Sequence, residues 1–483
     1  MPSSKDILEA QRFNRHRLIT AFTSGTPGGR EVDPPSPVRP LIFGALVAII
    51  MCVIGVGMRF FIANPNLDGK NFVLVDVKST GARYFLANGV LHPISNVTTA
   101  RLLSQEGTLE VISASASSLD DKPRGAQIGL PGVPDDVPSS NQLASTWLSC
   151  DLEDIYHTWI GQKLPEENFP LTPAVSALVT PDHGKTIYFV DAATEKKYLI
   201  DETDSRLSDW TLAFQNRVGY PVEVDPQWVD LFPSGTPLRS WSYSEIPNAG
   251  APATDLPGPL KDANLTIGTV VEQTDAKGEV QFSYLVVNSS QLAVFNSTAA
   301  RLYRDAPATR QFGTDMFKDV TPVHADFIGE DWPRYEDFSD PVWNDQKADA
   351  SNRTALCAHM STTNKAVPKL GLYTMPHQRA VQASYDAESV SSPSGPTTTR
   401  TVTVAGGSGA LVAITSAGGQ AAAYAFVSDQ GYIHSLGATP TVSMNALGWK
   451  QDDVAAIPET WANLIPPGTD MTPQAAASSV GLS

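Results

Sequence analysis

One long apolar stretch near the amino terminus stands out in the pattern of hydrophobic and polar positions. Residues 41–58 contain no charged residue, side-chain amide or proline, and apolar residues continue to Ile62 around the single Arg59. A membrane-spanning helix needs about 20 mostly apolar residues, and a basic side chain near its end can reach the lipid headgroups. The pattern therefore predicts a membrane anchor over residues 41–62, with Leu41 and Ile62 at its ends.

A cleaved signal peptide is the alternative interpretation of this stretch. Such a peptide has a shorter apolar core, lies closer to the start and ends in small residues. Here Ala63, Asn64 and Pro65 follow the stretch, which makes a poor cleavage site. Residues 1–40 hold six Lys and Arg residues, whereas residues 63–80 hold two. Because basic residues stay on the cytoplasmic side, we expect residues 1–40 in the cytoplasm and the large carboxyl-terminal part outside.

The residues before the anchor divide into a helix and a linker. Residues 3–22 carry apolar residues at helical spacing, and Ser3 with Asp6 resembles a capping box at the helix start. Basic residues lie close to the apolar stripe, so the helix is expected to rest on the inner leaflet or to contact a cytoplasmic partner. Residues 24–40 are rich in Gly and Pro, which predicts an irregular linker.

Beyond the anchor, the pattern changes to the alternation that is typical of strands. Residues 71–91 alternate around a turn at 78–81, with Gly81 as the turn residue, and a short helix is predicted at 96–103. A similar segment recurs at 284–303, with Asn288 and Ser289 at its turn. Both predicted helices contain Ala-Arg-Leu, at 100–102 and 300–302. The sequence therefore predicts a repeated hairpin-plus-helix unit.

A second pair of similar segments is marked by tryptophan and glycine. Trp228 and Trp461 are each followed at fixed offsets by Leu, Pro, Gly and Thr, and the glycines are Gly235 and Gly468. Four identical positions at the same offsets indicate a second repeated unit. The two types alternate along the chain, which predicts two half-molecules related by a pseudo-twofold axis.

These patterns predict an α+β fold: a single amino-terminal transmembrane helix, then an elongated extracytoplasmic region of four small hairpin-plus-helix repeats around a central β-rich domain. The last dozen residues are expected to form a loose tail. The predicted boundaries are 1–40 for the cytoplasmic helix and linker, 41–62 for the transmembrane helix, 63–115 for repeat 1, 116–182 for a loop and the first part of the central domain, 183–240 for repeat 2, 241–310 for repeat 3, 311–400 for the second part of the central domain, and 401–483 for repeat 4 and the tail.

Cysteine usage and charge narrow the choice of environment. Cys52 lies inside the anchor, whereas Cys150 and Cys357 both fall in the outer part, where disulfides persist. One bridge between them is predicted, with two buried free thiols as the alternative. The formal net charge of −17 argues against a nucleic-acid-binding protein, which would need a basic face.

No motif for catalysis, cofactor binding or metal binding is found, so none of these sites is predicted. The nearest approach to a phosphate-binding loop is Gly184-Lys185-Thr186, but it precedes a strand instead of opening a helix, so a turn is favoured. His92 is interpreted as a surface or turn residue. Cys357 with His359 lacks a second ligand pair, which favours the disulfide over a metal site.

The chain resembles EccB, a membrane component of the actinobacterial type VII (ESX) secretion system. The resemblance covers nearly the whole chain and is most specific in the loop that contains Pro123-Arg124-Gly125 and Ile128-Gly129-Leu130-Pro131-Gly132. It also includes Gln11-Arg12-Phe13, Trp147, the two outer cysteines, and the Leu-x-Pro-x-Gly pattern that ends at Gly468.

The resemblance implies a structural subunit of the secretion complex in the cell membrane, whose outer part self-associates to help form the export path. The implied partners are the motor ATPase EccC, the multispanning EccD, EccE and the mycosin protease. Some family members carry an ATPase label, so a membrane-tethered nucleotide hydrolase is the alternative, with Arg124-Gly125 and Gly184-Lys185 as its nearest candidate positions. A cell-wall-binding module is a third hypothesis.

Overall fold

The structure of the chain is a computed structural model that divides into two compact units, residues 1–66 and 67–483. The structure describes residues 3–24, 38–61, 67–104, 108–151, 155–163, 171–200, 221–238, 243–295, 297–305, 309, 317–319, 354–363, 365–376, 390–393, 399–416 and 419–478.

The amino-terminal unit contains two helices, α1 (Ser4–Ser24) and α2 (Val38–Phe61). At the start of α1 the backbone N–H of Ser3 donates to Asp6 Oδ2 at 2.9 Å, as the predicted capping box requires. Helix α2 covers the predicted anchor up to Phe61, while Ile62 and linker residues 25–37 lie outside the described residues. Among the residues whose side chains are described, no helix is long and apolar enough to cross a membrane.

The second unit is built from many short strands with a few helices between them. The strands are β1 (Val73–Val77), β2 (Ala82–Ala87), β3 (Val90–Pro93), β4 (Val111–Ala114), β5 (Thr146–Asp151), β6 (Ile155–Gly161), β7 (Thr172–Pro173), β8 (Ser176–Thr180), β9 (Ile187–Asp191), β10 (Lys196–Ile200), β11 (Val222–Glu223), β12 (Val270–Thr274), β13 (Val280–Val286), β14 (Leu292–Val294), β15 (Phe317–Asp319), β16 (Thr354–Ser361), β17 (Lys369–Pro376), β18 (Val390–Pro393), β19 (Thr399–Val404), β20 (Ala410–Thr415), β21 (Ala421–Val427), β22 (Ile433–Ser435) and β23 (Ala455–Pro458). The helices are α3 (Val97–Ser104), α4 (Pro226–Val229), α5 (Pro259–Asp262), α6 (Ser297–Asp305), α7 (Pro440–Leu447), α8 (Glu459–Ala462) and α9 (Pro473–Ser478).

Four small sheets share one strand order. We name them sheet 1 (β1–β4), sheet 2 (β8–β11), sheet 3 (β12–β15) and sheet 4 (β20–β23). In each, three strands form an antiparallel meander and the fourth strand lies parallel to the first. A parallel return needs a crossover connection, which α3, α6 and α7 provide in sheets 1, 3 and 4. In sheet 2 the corresponding residues 201–220 lie outside the described residues.

The first hairpin and helix form as their residues predict. The turn between β1 and β2 closes with the Gly81 N–H donating to Val77 O at 2.8 Å, and Gly81 has a φ of 69°, which favours glycine. Asn96 caps α3 by accepting from the Thr99 N–H at 2.9 Å. In sheet 3, however, the first hairpin is β12–β13. The predicted turn at Asn288 and Ser289 is therefore the second turn of the sheet, because β14 follows it.

A seven-stranded sheet holds two distant parts of the chain together, in the order β18-β19-β6-β5-β16-β17-β7. Its strands come from the two parts of the chain predicted as the central β-rich domain, with three differences. Residues 317–319, predicted for the central domain, form β15 of sheet 3. Residues 401–404, predicted to begin repeat 4, belong to β19, which pairs with β6, so sheet 4 begins at Ala410. Sheet 2 begins at Ser176, because β8 pairs with β9.

Three apolar cores connect the sheets. Phe85 of sheet 1 packs in one core with Phe426 and Trp449 of sheet 4 and its helix region. Trp147 of the central sheet shares a second core with residues of sheets 2 and 4. Sheets 2 and 3 share the third core. The order of contact is therefore sheet 1, sheet 4, central sheet, sheet 2, sheet 3; the predicted pseudo-twofold relation is compatible with this order and stays a prediction.

The end of the chain differs from the predicted loose tail. Residues 473–478 form α9, in which Ala476 is fully buried. Helix α9 packs against α3 and α7, so it covers the same core as sheets 1 and 4. Residues 479–483 lie outside the described residues.

The predicted disulfide is present. Cys150 of β5 and Cys357 of β16 lie directly opposite each other in neighbouring antiparallel strands, and their Sγ atoms are 2.03 Å apart. Both cysteines are fully buried on one face of the central sheet, beside Leu148 and Trp159. The bridge closes a loop of 207 residues that contains all of sheets 2 and 3.

We expect Cys150→Ser to lower the free energy of unfolding by about 3–5 kcal/mol, because the bridge removes loop entropy from the unfolded chain. Urea unfolding of the full-length protein in detergent measures this change. Cys52→Ser is the matched control, because Cys52 forms no bridge and is exposed. Equal unfolding midpoints for Cys150→Ser and the parent protein would contradict the expectation.

Candidate functional site: the joints between the sheets

The two tryptophans that mark the second repeated unit are joints between sheets. Trp228 follows the cap of α4, where Asp225 Oδ1 accepts from the Gln227 N–H, and its indole Nε1 donates to Ser149 O of the central sheet at 3.1 Å. Trp461 of α8 donates from Nε1 to Leu231 O, just after α4, at 3.1 Å. Both side chains are fully buried. Each therefore fixes one sheet to the backbone of another.

The two marker glycines lie under aromatic rings. After its fourth strand, the chain returns alongside the third strand, so that Ser234 bridges to Lys197 and Pro467 to Ile433. A Cβ at Gly235 would lie 2.2 Å from Tyr198 Cε1, and a Cβ at Gly468 would lie 2.6 Å from His434 Cε1. Only glycine leaves room for this close approach.

The same contact occurs in sheet 1, where sequence reasoning missed it. A Cβ at Gly125 would lie 2.3 Å from His92 Cε1. His92 Nδ1 donates to Ala126 O at 3.0 Å, just as His434 Nδ1 donates to Thr469 O at 2.9 Å. His92 is thus a packing residue of β3 and not a turn residue. The sequence does contain a signal for this contact. In both sheets the histidine directly follows an apolar residue of the third strand, Leu91 in β3 and Ile433 in β22.

The loop that is most specific to the resemblance acts as a strap, which we define as residues 123–144. Its first part runs parallel to β3, with bridges from Arg124 to Leu91 and from Ile128 to Ile94. Farther along, two ion pairs fasten it to β2 and α3. Arg83 Nη1 contacts both oxygens of Asp135 at 2.7 Å, and Arg101 donates from Nε and Nη2 to Asp136 at 2.7 and 3.0 Å. Hydrogen bonding to Asp135 raises the pKa of Arg83.

The second part of the strap reaches sheet 4 and the central sheet. Thr469 Oγ1 donates to Pro131 O at 2.7 Å, and Trp449 Nε1 donates to Pro138 O at 2.9 Å. At its end, the Ala144 N–H donates to Gly409 O at 2.6 Å, immediately before β5 begins. The strap therefore joins sheet 1 to sheet 4 through its backbone and then continues directly into β5 of the central sheet.

A cleft of about 150 Å³ lies between the strap and sheet 4. Its lining combines prolines, Val137 and Phe426 with two carboxylates, Asp136 and Asp429. Sites for nucleotide-sized ligands are usually about 300–1,000 Å³. Its volume is below this range, so the cleft is poorly suited to a nucleotide.

The positions considered for phosphate binding are occupied by internal contacts. Arg124 lies over the Tyr84 ring, with its guanidinium carbon 4.6 Å from the ring centre. In the turn before β9, the Gly184 N–H donates to Thr180 Oγ1 and the Thr186 N–H to Asp182 Oδ1, both at 2.7 Å. Hydrogen bonds from the Thr186 hydroxyl and then from the Thr186 N–H lower the pKa of Asp182. The Gly184 position is a structural turn and the Arg124-Gly125 position runs alongside β3, and in both the glycine N–H donates to the protein itself.

Metal chemistry finds no support in the part of the chain that the structure describes. No group of three or more His, Cys, Asp and Glu side chains there could hold a metal ion. Cys357 is bonded to Cys150 and so offers no thiolate beside His359. Burial lowers the pKa of His359, and its ring packs edge-on against Tyr373.

His157 is a fully buried histidine of the central sheet. Its ring stacks on Trp159 with centroids 3.9 Å apart, and its two nitrogens lie 2.6 Å from Thr401 Oγ1 and 2.8 Å from Thr403 Oγ1. Burial lowers the pKa of His157 to about 3. The neutral ring therefore helps to hold β19 against β6.

We expect Gly235→Ala and Gly468→Ala each to lower the free energy of unfolding by about 1–3 kcal/mol, because the new methyl group overpacks a buried ring. Chemical unfolding of the purified full-length protein measures the loss. Gly406→Ala is the control, since a Cβ there would meet nothing within 4 Å. If all three variants unfold at the same denaturant concentration, the close packing under the rings has no energetic role.

His157 predicts that stability falls in acid. Between about pH 6.5 and 3 the unfolded chain binds a proton on this ring that the folded chain does not, so stability is complete above pH 6.5 and is lost as pH falls towards 3. For His157→Gln, the loss between pH 7 and 4.5 should be about 2–3 kcal/mol smaller than in the parent protein. Urea unfolding at both pH values measures it, and exposed His16→Gln should leave the loss unchanged.

Comparison with known proteins gives consistent matches. The family model "Type VII secretion system ESX-1, transport TM domain B" matches residues 1–481. Among curated relatives from Mycobacterium tuberculosis strain H37Rv, "ESX-1 secretion system ATPase EccB1" is 27% identical over 282 residues, covering 56% of this chain and 54% of the relative. "ESX-3 secretion system ATPase EccB3" is 28% identical over 265 residues, covering 50% and 47%. The chain thus spans about half the length of the curated relatives that it matches.

Solved structures share the fold. A chain of the "intact ESX-5 inner membrane complex" matches with a TM-score of 0.57 and 19% identity over 99% of this chain and 95% of that chain. The "EccB3 dimer from the ESX-3 core complex" matches with a TM-score of 0.58 and 20% identity, covering 84% and 99%. These structures have the same mixed α/β architecture of several small sheets. The resemblance seen in the sequence is confirmed. The chain belongs to the EccB family of type VII secretion system proteins.

Proposed function

We propose that this chain is a structural subunit of a type VII secretion complex in the cell membrane. In this proposal, α2 crosses the membrane once, residues 1–40 lie in the cytoplasm, and the unit of residues 67–483 lies on the outer face. There it associates with further copies of itself and with other secretion components to help form the export path.

The exposed apolar surface of α2 supports the anchor. Its large apolar side chains from Leu41 to Ile54 are 37–71% exposed, and they point in all directions around the helix. A helix that is apolar on every side needs surroundings that are equally apolar. The uncharged run of residues 41–58 is close to the length that crosses a bilayer, and the basic residues before it support a cytoplasmic amino terminus.

The main observation in favour of a structural role is that the marker residues serve packing. Trp228 and Trp461 are buried in joints between sheets, and the strap ties sheet 1 to sheet 4. Gly235 and Gly468 allow close packing within sheets 2 and 4. These residues hold surfaces in fixed relation to one another, which is what a subunit of a large assembly requires. The domain plan of four repeats around a central sheet belongs to this proposal.

The structural neighbours support the assembly. One neighbour belongs to an intact ESX-5 inner membrane complex and another is an EccB3 dimer from an ESX-3 core complex. By family resemblance, the partners proposed for this chain are the motor ATPase EccC, EccD, EccE and the mycosin protease.

Nucleotide hydrolysis is the second candidate function, because the curated relatives are named as ATPases. The contacts of Arg124 with Tyr84 and of the Gly184 turn with Thr180 speak against it, since both candidate positions serve packing. The acidic cleft beside the strap is also small for a nucleotide.

A charged substitution in α2 tests the anchor. We expect Ile50→Asp to move the protein out of the carbonate-resistant membrane fraction, because a carboxylate at the helix centre costs about 2.5–3.5 kcal/mol on insertion scales. Ile7→Asp in α1 is the matched control: Ile7 is 53% and Ile50 47% exposed, but Ile7 lies outside the proposed span. Equal membrane retention of both variants would contradict the anchor.

Purification of the tagged full-length protein from mildly solubilised membranes tests the assembly. We expect a very large species on a native gel that contains a motor ATPase and multispanning proteins. A reproducible lone monomer or dimer would contradict the structural role. ATP turnover by the purified protein that Arg124→Ala abolishes, while Gly406→Ala does not, would establish the second candidate function instead.

A further inference from the structure

The fourth strand of each small sheet is an edge strand. Within the described part of the chain it pairs only with the first strand of its own sheet. An exposed edge carries unpaired backbone N–H and C=O groups, which can pair with a strand of another molecule. Proteins usually protect such an edge with charged side chains, with a very short strand or with a cover from elsewhere in the chain.

Three of the four edges have such protection. In sheet 4 the Ala456 N–H of β23 donates to Lys365 O at 2.7 Å, so the loop between β16 and β17 covers this edge. In sheet 2, β11 has only two residues, and one of them is the exposed Glu223. In sheet 3, β15 has three residues, of which Lys318 and Asp319 are charged and exposed.

Strand β4 of sheet 1 has none of these protections. It is four residues long and none of them is charged. Val111 is 56% exposed, and Ser113 is exposed as well. The same edge is therefore protected in three sheets and left apolar and open in the fourth, which indicates that β4 pairs with another molecule.

The backbone groups that are free on β4 belong to these two exposed residues. The Leu74 N–H of β1 donates to Glu110 O at 3.0 Å, immediately before β4 begins. Because only alternate residues of a parallel strand bond to the same neighbour, the N–H and C=O groups of Val111 and Ser113 point away from β1. Within the described residues these groups take part in no hydrogen bond.

The charge around this edge suits a second copy of the same chain. The whole chain has a net charge of −17, so contact between two copies generally has to overcome repulsion. Residues 67–114, which contain sheet 1 and α3, instead have four acidic and four basic residues and therefore no net charge. Glu110, which precedes β4 directly, is paired with Lys70 at 2.6 Å.

The edge of β4 is also self-complementary. Under a twofold rotation, the edge of one copy lies antiparallel to the same edge of the other, as in an isologous interface. A register that joins Val111 to the same residue of the second copy places Glu110 opposite Ile112. A register that joins Val111 to Ser113 places Glu110 opposite Ala114. Neither register opposes two like charges, which would be destabilising.

We propose that β4 is the edge through which two copies of this chain associate. The two β4 strands lie antiparallel across a twofold axis, so that two copies of sheet 1 form one eight-stranded sheet. The free N–H and C=O groups of Val111 and Ser113 pair with those of the second copy, and the Val111 side chain is removed from water. This rests on the self-association in the proposed function and assigns it to one surface.

An exchange of charge at position 111 tests the pairing. Two differently tagged copies of the full-length protein are expressed together without other secretion components, solubilised in mild detergent and purified through one tag. We expect Val111→Lys in both copies to reduce recovery of the second copy at least fivefold, because like charges then meet across the axis. Val111→Lys in one copy with Val111→Glu in the other should restore at least half of the parent's recovery.

Val442→Lys on α7 is the matched control and should leave recovery unchanged, since Val442 is 45% exposed and Val111 56%. Thermal unfolding checks that each variant retains its fold. Equal recovery for Val111→Lys and the parent would overturn the proposal and leave self-association in place. Failure of the Lys–Glu combination to restore recovery would also overturn it, because the edge would then recognise something other than a second copy. If two parent copies do not purify together, both the edge and the proposed self-association are wrong.

Crosslinking in native membranes checks the geometry. The Val111→Cys variant is made in a Cys52→Ser background, in which Cys150 and Cys357 are bonded to each other and do not react. A short bismaleimide should then link two copies of the chain, whereas it should not do so for the Val442→Cys variant. Crosslinks from position 111 only to a different protein, or equal dimer yields from both positions, would contradict the β4 interface.

Discussion

Each small sheet has too little covering structure to bury its apolar faces by itself, and the rest of the architecture depends on this constraint. A sheet of four short strands with one helix needs another layer to be stable. The layers come from neighbouring sheets, so Phe85 of sheet 1 lies in one core with Phe426 of sheet 4, and Trp147 of the central sheet lies with Trp228 and Trp461. Removing any one sheet would expose the core of the next.

Shared cores fix which sheets are neighbours, but they do not fix orientation, since apolar contact is non-directional. Orientation comes from directional contacts at the joints. The indole N–H groups of Trp228 and Trp461 each reach one particular carbonyl, and Asp135 and Asp136 of the strap form ion pairs with Arg83 and Arg101. The disulfide adds a covalent constraint in the central sheet, on the face opposite to the shared tryptophan core.

The sequence predicted local structure correctly where the backbone geometry at one position requires one type of residue. Gly81 in a turn and Asn96 at a helix start are of this kind, and so is the repeated Trp-to-Gly spacing. The ring over Gly125 was missed because its partner, His92, is 33 residues away and no local pattern connects them. Strand β19 was assigned to the wrong sheet for a related reason: strand propensity does not specify the pairing partner. Helix α9 was read as a tail because its burial comes from α3, far away in sequence.

Repetition also explains how a chain with packed joints can carry specialised surfaces. Joint residues are held in place by contacts on both sides, so they tolerate little change. The β12–β13 and β20–β21 hairpins extend past the third strand of their sheets. In sheet 4 this extension of the hairpin, which we call an overhang, carries alanines at positions 421–423. A second copy of the same overhang is therefore free to carry larger side chains without disturbing the core. Val280 and Phe282 of β13 occupy such a position and are 46% and 57% exposed.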